Sequence, residues 1–287
     1  MGMLISGLNS YLGRRAASNL ASENCEVFGL IRDAELFKTT GFEPITAELL
    51  NIDLLRKGKA YATCRLDNLD MGICFAPPTN LDDQVSLQVE LTRLRNFIAL
   101  LQANACNRIV YLATLVDREY LSYVRKLFSD LGVIYTLVLT NITLGKNSLA
   151  DRYFRQLMSE KYIWYDNALA NVQFRPISSL DVLRWLRTVN WKEDFKDQVI
   201  ELGGIQQMSV RDLFRMYKNL NEVENVGVAV PHFIYKLFFK QRRELQKEDH
   251  LEIKRMFKYE YPLDNSTWAK RVSFSFTPIE EAILEDQ

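Results

Sequence analysis

Apolar and polar positions follow one another in a regular order through the first half of the chain. Met3-Leu4-Ile5-Ser6 is a short apolar run, Gly7-Leu8-Asn9-Ser10-Tyr11-Leu12-Gly13 a glycine-bracketed turn, and Arg14 to Ser22 a helical stretch. Glu26 to Ile31 is a second apolar run, which ends in charge at Arg32-Asp33. The order reads strand, tight turn, helix, strand. Pro44-Ile45-Thr46-Ala47 predicts a weak short strand, and Met71 to Ala76 a stronger one stopped by Pro77-Pro78. From Asp82 to Asn104, Val85, Val89, Leu91, Leu94, Ile98 and Leu101 recur with the period of a helix. Arg108 to Ala113 then predicts a strand, Arg118 to Leu131 a helix ended at Gly132, and Ile134 to Leu139 a β-branched strand. Strands that alternate with helices, with no hairpin turn between them, imply right-handed β-α-β crossovers. The predicted class is α/β, with a doubly wound parallel sheet covered on both faces.

Such a sheet takes its ligand in the crevice beyond the carboxyl ends of its strands. Here those ends are Gly7, Arg32, Ala76 with Pro77, Thr114, and Thr140 with Asn141. A helix that starts just after the first strand aims its backbone N–H groups and the positive end of its dipole at that crevice, an arrangement suited to a pyrophosphate. Gly7 and Gly13 fill the outer positions of a G-x-x-G-x-x-G turn, while Ser10 stands in the middle one, with Asn9, Tyr11 and Leu12 around it. Glycines let a backbone approach a phosphate with no Cβ in the way, and a serine hydroxyl can still meet one. A strand-to-helix connection that binds nothing is the plain alternative. At the end of the second strand, a carboxylate would accept from a ribose 2′-OH and an arginine would pair with a 2′-phosphate. Arg32 precedes Asp33, and Arg14 and Arg15 follow the turn, so NADP(H) is favoured over NAD(H).

Composition narrows the partners. At 287 residues the chain holds one large domain or a core with a smaller partner, and its hydrophobic content of 48% supports a substantial core. Formal net charge is zero, which leaves no overall field to draw nucleic acid. Cys25, Cys64, Cys74 and Cys106 lie far apart with no C-x-x-C pair and read as reduced core residues, as in the cytoplasm. The start shows neither a basic segment nor a long apolar stretch, so no signal peptide or membrane span is expected. With His232 and His250 alone, and no cluster at ligand spacing, no metal site is expected.

Several segments together resemble the atypical or extended short-chain dehydrogenase/reductase superfamily, close to its NmrA-like and epimerase-like NAD(P)-binding proteins. Ile5-Ser6-Gly7 through Leu12-Gly13-Arg14-Arg15 is similar to the opening TGATGYLGRR, and Phe28-Gly29-Leu30-Ile31-Arg32-Asp33 to the second-strand ALVRD. Ile52-Asp53-Leu54 matches the GDL segment, whose Asp lies near the adenine in the family, and Cys74-Phe75-Ala76-Pro77 the end of the fourth strand. Ile109 to Thr114 is similar to VVYLSS, Leu131 to Thr136 to SGLPYT, and Phe174 to Val182 to QPIHVDDVA. The resemblance runs over about residues 3–220 and implies a Rossmann core over 1–145. Residues 146–287 would then be a smaller mixed α/β lobe, partly completing that core and capping the cleft over a substrate. The implied cofactor-binding residues are Gly7, Asn9, Ser10, Tyr11, Leu12, Gly13, Arg32, Asp53, Leu54, Ala76, Pro77 and Thr114.

The catalytic pair of the resembled family does not carry over. Its tyrosine, with a lysine four residues on, should fall near Asp117 and Leu121, and neither residue can exchange a proton in that way. Tyr123 and Lys126 are three apart, Tyr120 is followed at the fourth place by Val124, and one step along a helix turns a side chain by about 100°. Thr114 is then the one weak candidate for a catalytic group.

In the second half, Asn147 or Ser148 can cap a helix towards Met158, and Asp181 falls in a helix reaching Leu186. Gln198 to Leu202 predicts a strand, and Ser209 starts another helix. Tyr153, Tyr162, Trp164, Tyr165 and Trp185 make this region aromatic, most simply as packing residues. Residues 233–243 interleave aromatics with bases, which suits a weak contact with a membrane surface or, more simply, an amphipathic helix docked on the domain. Two readings stay open. One is an NAD(P)-dependent oxidoreductase or epimerase of a small carbonyl or nucleotide-sugar-like substrate; the other is a non-catalytic NADP(H)-binding redox sensor or assembly protein with a protein partner.

Overall fold

A computed structural model of the chain describes residues 2–22, 25–39, 45–77, 83–159, 161–189, 195–230 and 263–284. Residues 233–243, His232 and His250 lie outside the described residues. Two compact units emerge, one of residues 1–139 with 183–200 and the other of residues 140–182 with 201–287.

The first unit is built on the strands β1 (Gly2–Ser6), β2 (Glu26–Ile31), β3 (Glu48–Asn51), β4 (Leu69–Phe75), β5 (Arg108–Thr114) and β6 (Ile134–Thr140). The chain then forms β7 (Thr143–Leu144), β8 (Tyr162–Asp166), β9 (Gln173–Phe174) and β10 (Ile177–Ser178) before β11 (Gln198–Leu202) rejoins the main sheet. That seven-stranded sheet has the order β11-β6-β5-β4-β1-β2-β3. β1 pairs in parallel with β2 on one side, Leu4 opposite Phe28, and with β4 on the other, Leu4 opposite Gly72. From β1 the chain works outward through β2 to β3, then crosses back to β4 and works outward the other way. The order therefore reverses between β1 and β4, which is where an open α/β sheet leaves a crevice. β1 is buried along its whole length, as a central parallel strand with both faces covered must be.

Helices α1 (Tyr11–Asn19), α2 (Ala34–Thr39), α3 (Lys59–Thr63), α4 (Gln84–Ala103) and α5 (Leu121–Asp130) make the crossovers. α4 begins where its sequence predicts, because Asp83 accepts from the Ser86 amide at 2.8 Å and from its hydroxyl at 2.6 Å. Those two bonds hold the Asp83 carboxyl below the ordinary carboxylate range. Two local expectations are corrected. The weak strand expected at 44–47 is instead β3 at Glu48–Asn51, because Thr46 and Ala47 direct their N–H groups to the Ala17 carbonyl at the end of α1. The helix expected from Arg118 starts as a 3-10 turn over Leu115–Tyr120 and becomes regular at Leu121.

The second unit adds α6 (Leu149–Met158), α7 (Asn167–Ala170), α8 (Ser179–Val189), β12 (Met208–Ser209), α9 (Val210–Leu220) and β13 (Val226–Val230), with α8 continuing into the first unit. Ser148 caps α6, and Ser209 caps α9 through a capping box with Asp212. The paired strands are β7 with β10, β9 with β12, and β8 with β13. The core centres on Phe154, Phe174, Leu213 and Tyr217, with the Phe154 and Tyr217 rings 4.9 Å apart. Tyr153 packs at its edge, while Trp185 is buried against Phe195 within the first unit. Tyr162 is exposed, and the side chains of Trp164 and Tyr165 lie outside the described set. The last described segment is fastened to this unit by side chains. Asn265 exchanges hydrogen bonds with the Gly203 backbone, Trp268 donates to the Glu201 carbonyl at 3.0 Å, and Thr277 donates twice to Asp181 at 2.8 Å.

Candidate functional site

The turn between β1 and α1 is interlocked. Gly7 has φ of +89°, and a Cβ there would stand 2.2 Å from the Phe75 carbonyl oxygen, so both its conformation and its closeness to β4 require glycine. Ser10 is the N-cap of α1: its hydroxyl accepts from the Gly13 amide at 3.1 Å and donates to the Gly7 carbonyl at 2.8 Å. A Cβ on Gly13 would lie 2.3 Å from that same Gly7 carbonyl. The serine that breaks the glycine pattern therefore fastens the turn from within. The helix starts at Tyr11, earlier than its polar stretch alone suggests.

A cavity of about 460 Å³ opens beside this turn, wholly within the first unit. It brings together Gly7, Asn9, Arg32, Asp53 and Leu54 of the residues expected from sequence. Tyr11, Leu12 and Gly13 form the first turn of α1, Ala76 and Pro77 follow β4, and Thr114 ends β5; none of them, nor Ser10, lines this cavity.

Arginines and carboxylates both line the cavity. Arg14 is half-buried, with its guanidinium 4.3 Å from the centre of the Phe37 ring, and burial lowers its pKa. Arg32 stands at the rim, 72% exposed, its Nε 3.3 Å from an Asp53 carboxylate oxygen. Arg56 approaches that same oxygen at 3.8 Å. Asp53 also accepts from the Leu55 amide at 2.9 Å, which fixes the carboxylate at the wall. The Asn51 side chain accepts from the Ala34 amide at 2.8 Å and so ties the start of α2, with Phe37 on it, to β3. Arg14 and Arg32 thus both line the cavity, the first stacked on Phe37 and the second exposed at its ion pair with Asp53.

Arg93 also lines the cavity, reaching it from α4 beneath the turn. Sequence reading missed both Arg93 and Phe37. The signal for the first was present, because Glu90 falls on the stripe of Leu87, Leu94, Phe97 and Leu101 that the helical period buries, and a charge there demands a partner one turn away.

At the end of β5 the Thr114 hydroxyl donates to Asp117 at 3.1 Å. Asp117 and Leu121 are both buried, whereas Tyr123 and Lys126 are exposed on α5. Among the described residues no group of three His, Cys, Asp or Glu could hold a metal ion, and no helix is long and apolar enough to cross a membrane.

With this geometry, the chain can be set beside known proteins. The triphenylmethane reductase of Citrobacter sp., in complex with NADP(H), superposes with a TM-score of 0.70 at 13% identity over 99% of both chains. The chain has the fold of a reductase of this kind. A UDP-glucose 4-epimerase of Stenotrophomonas maltophila with bound NAD gives a TM-score of 0.68 at 14% identity, covering 99% of this chain and 96% of that one. An epimerase of Methanothermobacter thermautotrophicus gives 0.71 at 13% identity, covering 99% and 90%. No protein-family model matches the chain, and no curated protein matches it in sequence. The chain thus shares its fold with these structures at identities of 13 to 14%.

Proposed function

We propose that the chain is an atypical short-chain dehydrogenase/reductase-like protein that binds NADP(H) in the cavity beside the Gly7 turn. The observation that carries this reading is that Arg14 and Arg32 both line a cavity that opens beside the glycine turn. The turn and the start of α1 suit a pyrophosphate, Asp53 and Leu54 suit the adenine, and the two guanidinium groups suit a 2′-phosphate. The neighbouring reductase carries NADP(H), which supports the same choice, although another neighbour carries NAD. A nicotinamide cofactor would supply hydride chemistry; the chain's own residues bind it, orient it and set its phosphate preference.

Arg32→Ala is expected to weaken NADPH binding about tenfold while leaving NADH nearly unchanged, because a charge-assisted pair to the 2′-phosphate is lost. Titration of both nucleotides against both proteins checks this. Equal wild-type affinities for NADPH and NADH would refute the preference.

A second reading has an observation of its own. Asp117 and Leu121, at the places where the family keeps its tyrosine and lysine, are buried and offer no such proton exchange. This favours a non-catalytic NADP(H)-binding sensor or assembly protein over an oxidoreductase or epimerase of a small carbonyl or nucleotide-sugar-like substrate. The four free cysteines support a reducing compartment, the cytoplasm. Incubating the NADPH-loaded protein with a panel of aldehydes, ketones and nucleotide sugars, and following absorbance of the reduced nicotinamide together with sugar interconversion, separates the two. Turnover of any of them establishes the enzyme.

A further inference from the structure

A buried ion pair lies beneath the Gly7 turn. Glu90 and Arg93 stand one turn apart on α4, with side chains 2% and 16% exposed. Arg93 donates through Nε to Glu90 Oε2 at 2.6 Å and through Nη2 to Oε1 at 2.5 Å. Tyr111 of β5 donates its hydroxyl to the same Oε1 at 3.1 Å. Burial pushes the adjacent Cys74 thiol up to about 12 and the Tyr111 phenol well above its ordinary value. Neither supplies a second anion near neutrality, so Glu90 is the counter-ion that balances Arg93.

The other side of the guanidinium is turned to the sheet. Nη1 donates to the Ser6 hydroxyl at 2.8 Å, and Nη2 donates to the Phe75 carbonyl at 3.1 Å. Ser6 is the last residue of β1 and Phe75 the last of β4. Arg93 therefore joins the carboxyl ends of the two strands between which the sheet order reverses. The Phe75 carbonyl is also the atom that a Cβ at Gly7 would strike. It accepts from Arg93 and lies where the turn leaves room only for a glycine.

Stability alone is a poor reason to bury these charges. Taking each ion out of water costs several kcal/mol, and well-packed apolar residues of similar volume are often as stable or better. What apolar residues cannot do is fix the direction of a carbonyl and a hydroxyl. We propose that Arg93 is a positioning residue of the dinucleotide site: balanced by Glu90, it sets the Ser6 hydroxyl and the Phe75 carbonyl, and through them the height of the Gly7 turn on which a pyrophosphate rests. This rests on the nucleotide-binding reading above. It differs from the role of Arg32, because the turn serves NADPH and NADH alike.

Two variants test it. Arg93→Lys keeps a cation opposite Glu90 but lacks the planar fork that reaches carboxylate, hydroxyl and carbonyl together. Glu90→Gln with Arg93→Met removes both charges at once and leaves no buried ion alone. Affinities for NADPH and NADH are titrated for the wild type and both variants, beside the thermal midpoint of each ligand-free protein. The expected result is a loss of about tenfold for both nucleotides in each variant, with their ratio unchanged, which corresponds to about 1.4 kcal/mol. A purely structural pair would lower the ligand-free midpoint and leave affinity alone. Either folded variant binding both nucleotides as the wild type does overturns the proposal, and loss of the fold in both overturns it too, since the pair then serves the core. A wild type that binds neither nucleotide removes the nucleotide-binding reading and this proposal with it; wild-type binding with unmoved variants removes this proposal alone.

Discussion

Gly7→Ala is expected to abolish nucleotide binding and to cost about 3 to 5 kcal/mol of stability. Two effects add at this residue. Its φ of +89° lies where an L side chain is strained, and the added methyl would stand 2.2 Å from the Phe75 carbonyl oxygen. Neither atom can yield cheaply, because the obstacle is backbone of the central strand β4, itself held by Arg93. Relief would require lifting the turn off the sheet, which carries the Ser10 cap and the start of α1 with it. Urea unfolding gives the stability change and nucleotide titration the functional one. An alanine variant with wild-type stability and affinity would mean that the turn does not pack on β4 in this way.

Trp268→Ala should be the most damaging single truncation in the second unit, at about 3 to 5 kcal/mol. Trp268 is fully buried, its ring lies 5.7 Å from that of Phe274 and 5.8 Å from that of Phe276, and its indole N–H donates to Glu201. Removing it opens a cavity among aromatic rings and deletes the indole hydrogen bond to Glu201. Trp268 is one of the side chains that fasten the segment from Leu263 onward, so the variant should become sensitive to limited proteolysis there before the rest of the chain. Chemical denaturation and the sites of early cleavage check both parts; cleavage indistinguishable from wild type would contradict it.

The sequence was most readable where one residue has one physical reason to be where it is. The alternation of apolar runs with helical periods disclosed the doubly wound parallel sheet, because strands joined by helices with no hairpin between them leave that class. Ser209 announced its helix, and of Asn147 and Ser148 the structure uses the serine, since a hydroxyl at an N-cap satisfies an otherwise orphaned amide. Arg32 was legible as a cavity residue through its place at a strand end, and Asp53 through the resemblance of Ile52-Asp53-Leu54 to a family segment. Their ion pair was not, because sequence spacing does not report a contact between two separate crossovers. Phe37 was overlooked because it reaches the cavity from a helix whose pattern reads as ordinary amphipathicity, and Arg93 because its signal is carried by Glu90 one turn away. Thr46 and Ala47 misled because their amides are used by the end of α1 instead of by a ladder, a choice made by tertiary contact.

The place of β11 bears on how the molecule is made. β6 is complete by Thr140, yet its neighbour on the outer side, β11, begins only at Gln198. A growing chain therefore has a sheet with an open, apolar, hydrogen-bond-hungry margin throughout the interval in which the intervening segment leaves the ribosome. Vectorial synthesis exposes that margin before its mate exists, and the first unit becomes whole only after most of the chain has been translated.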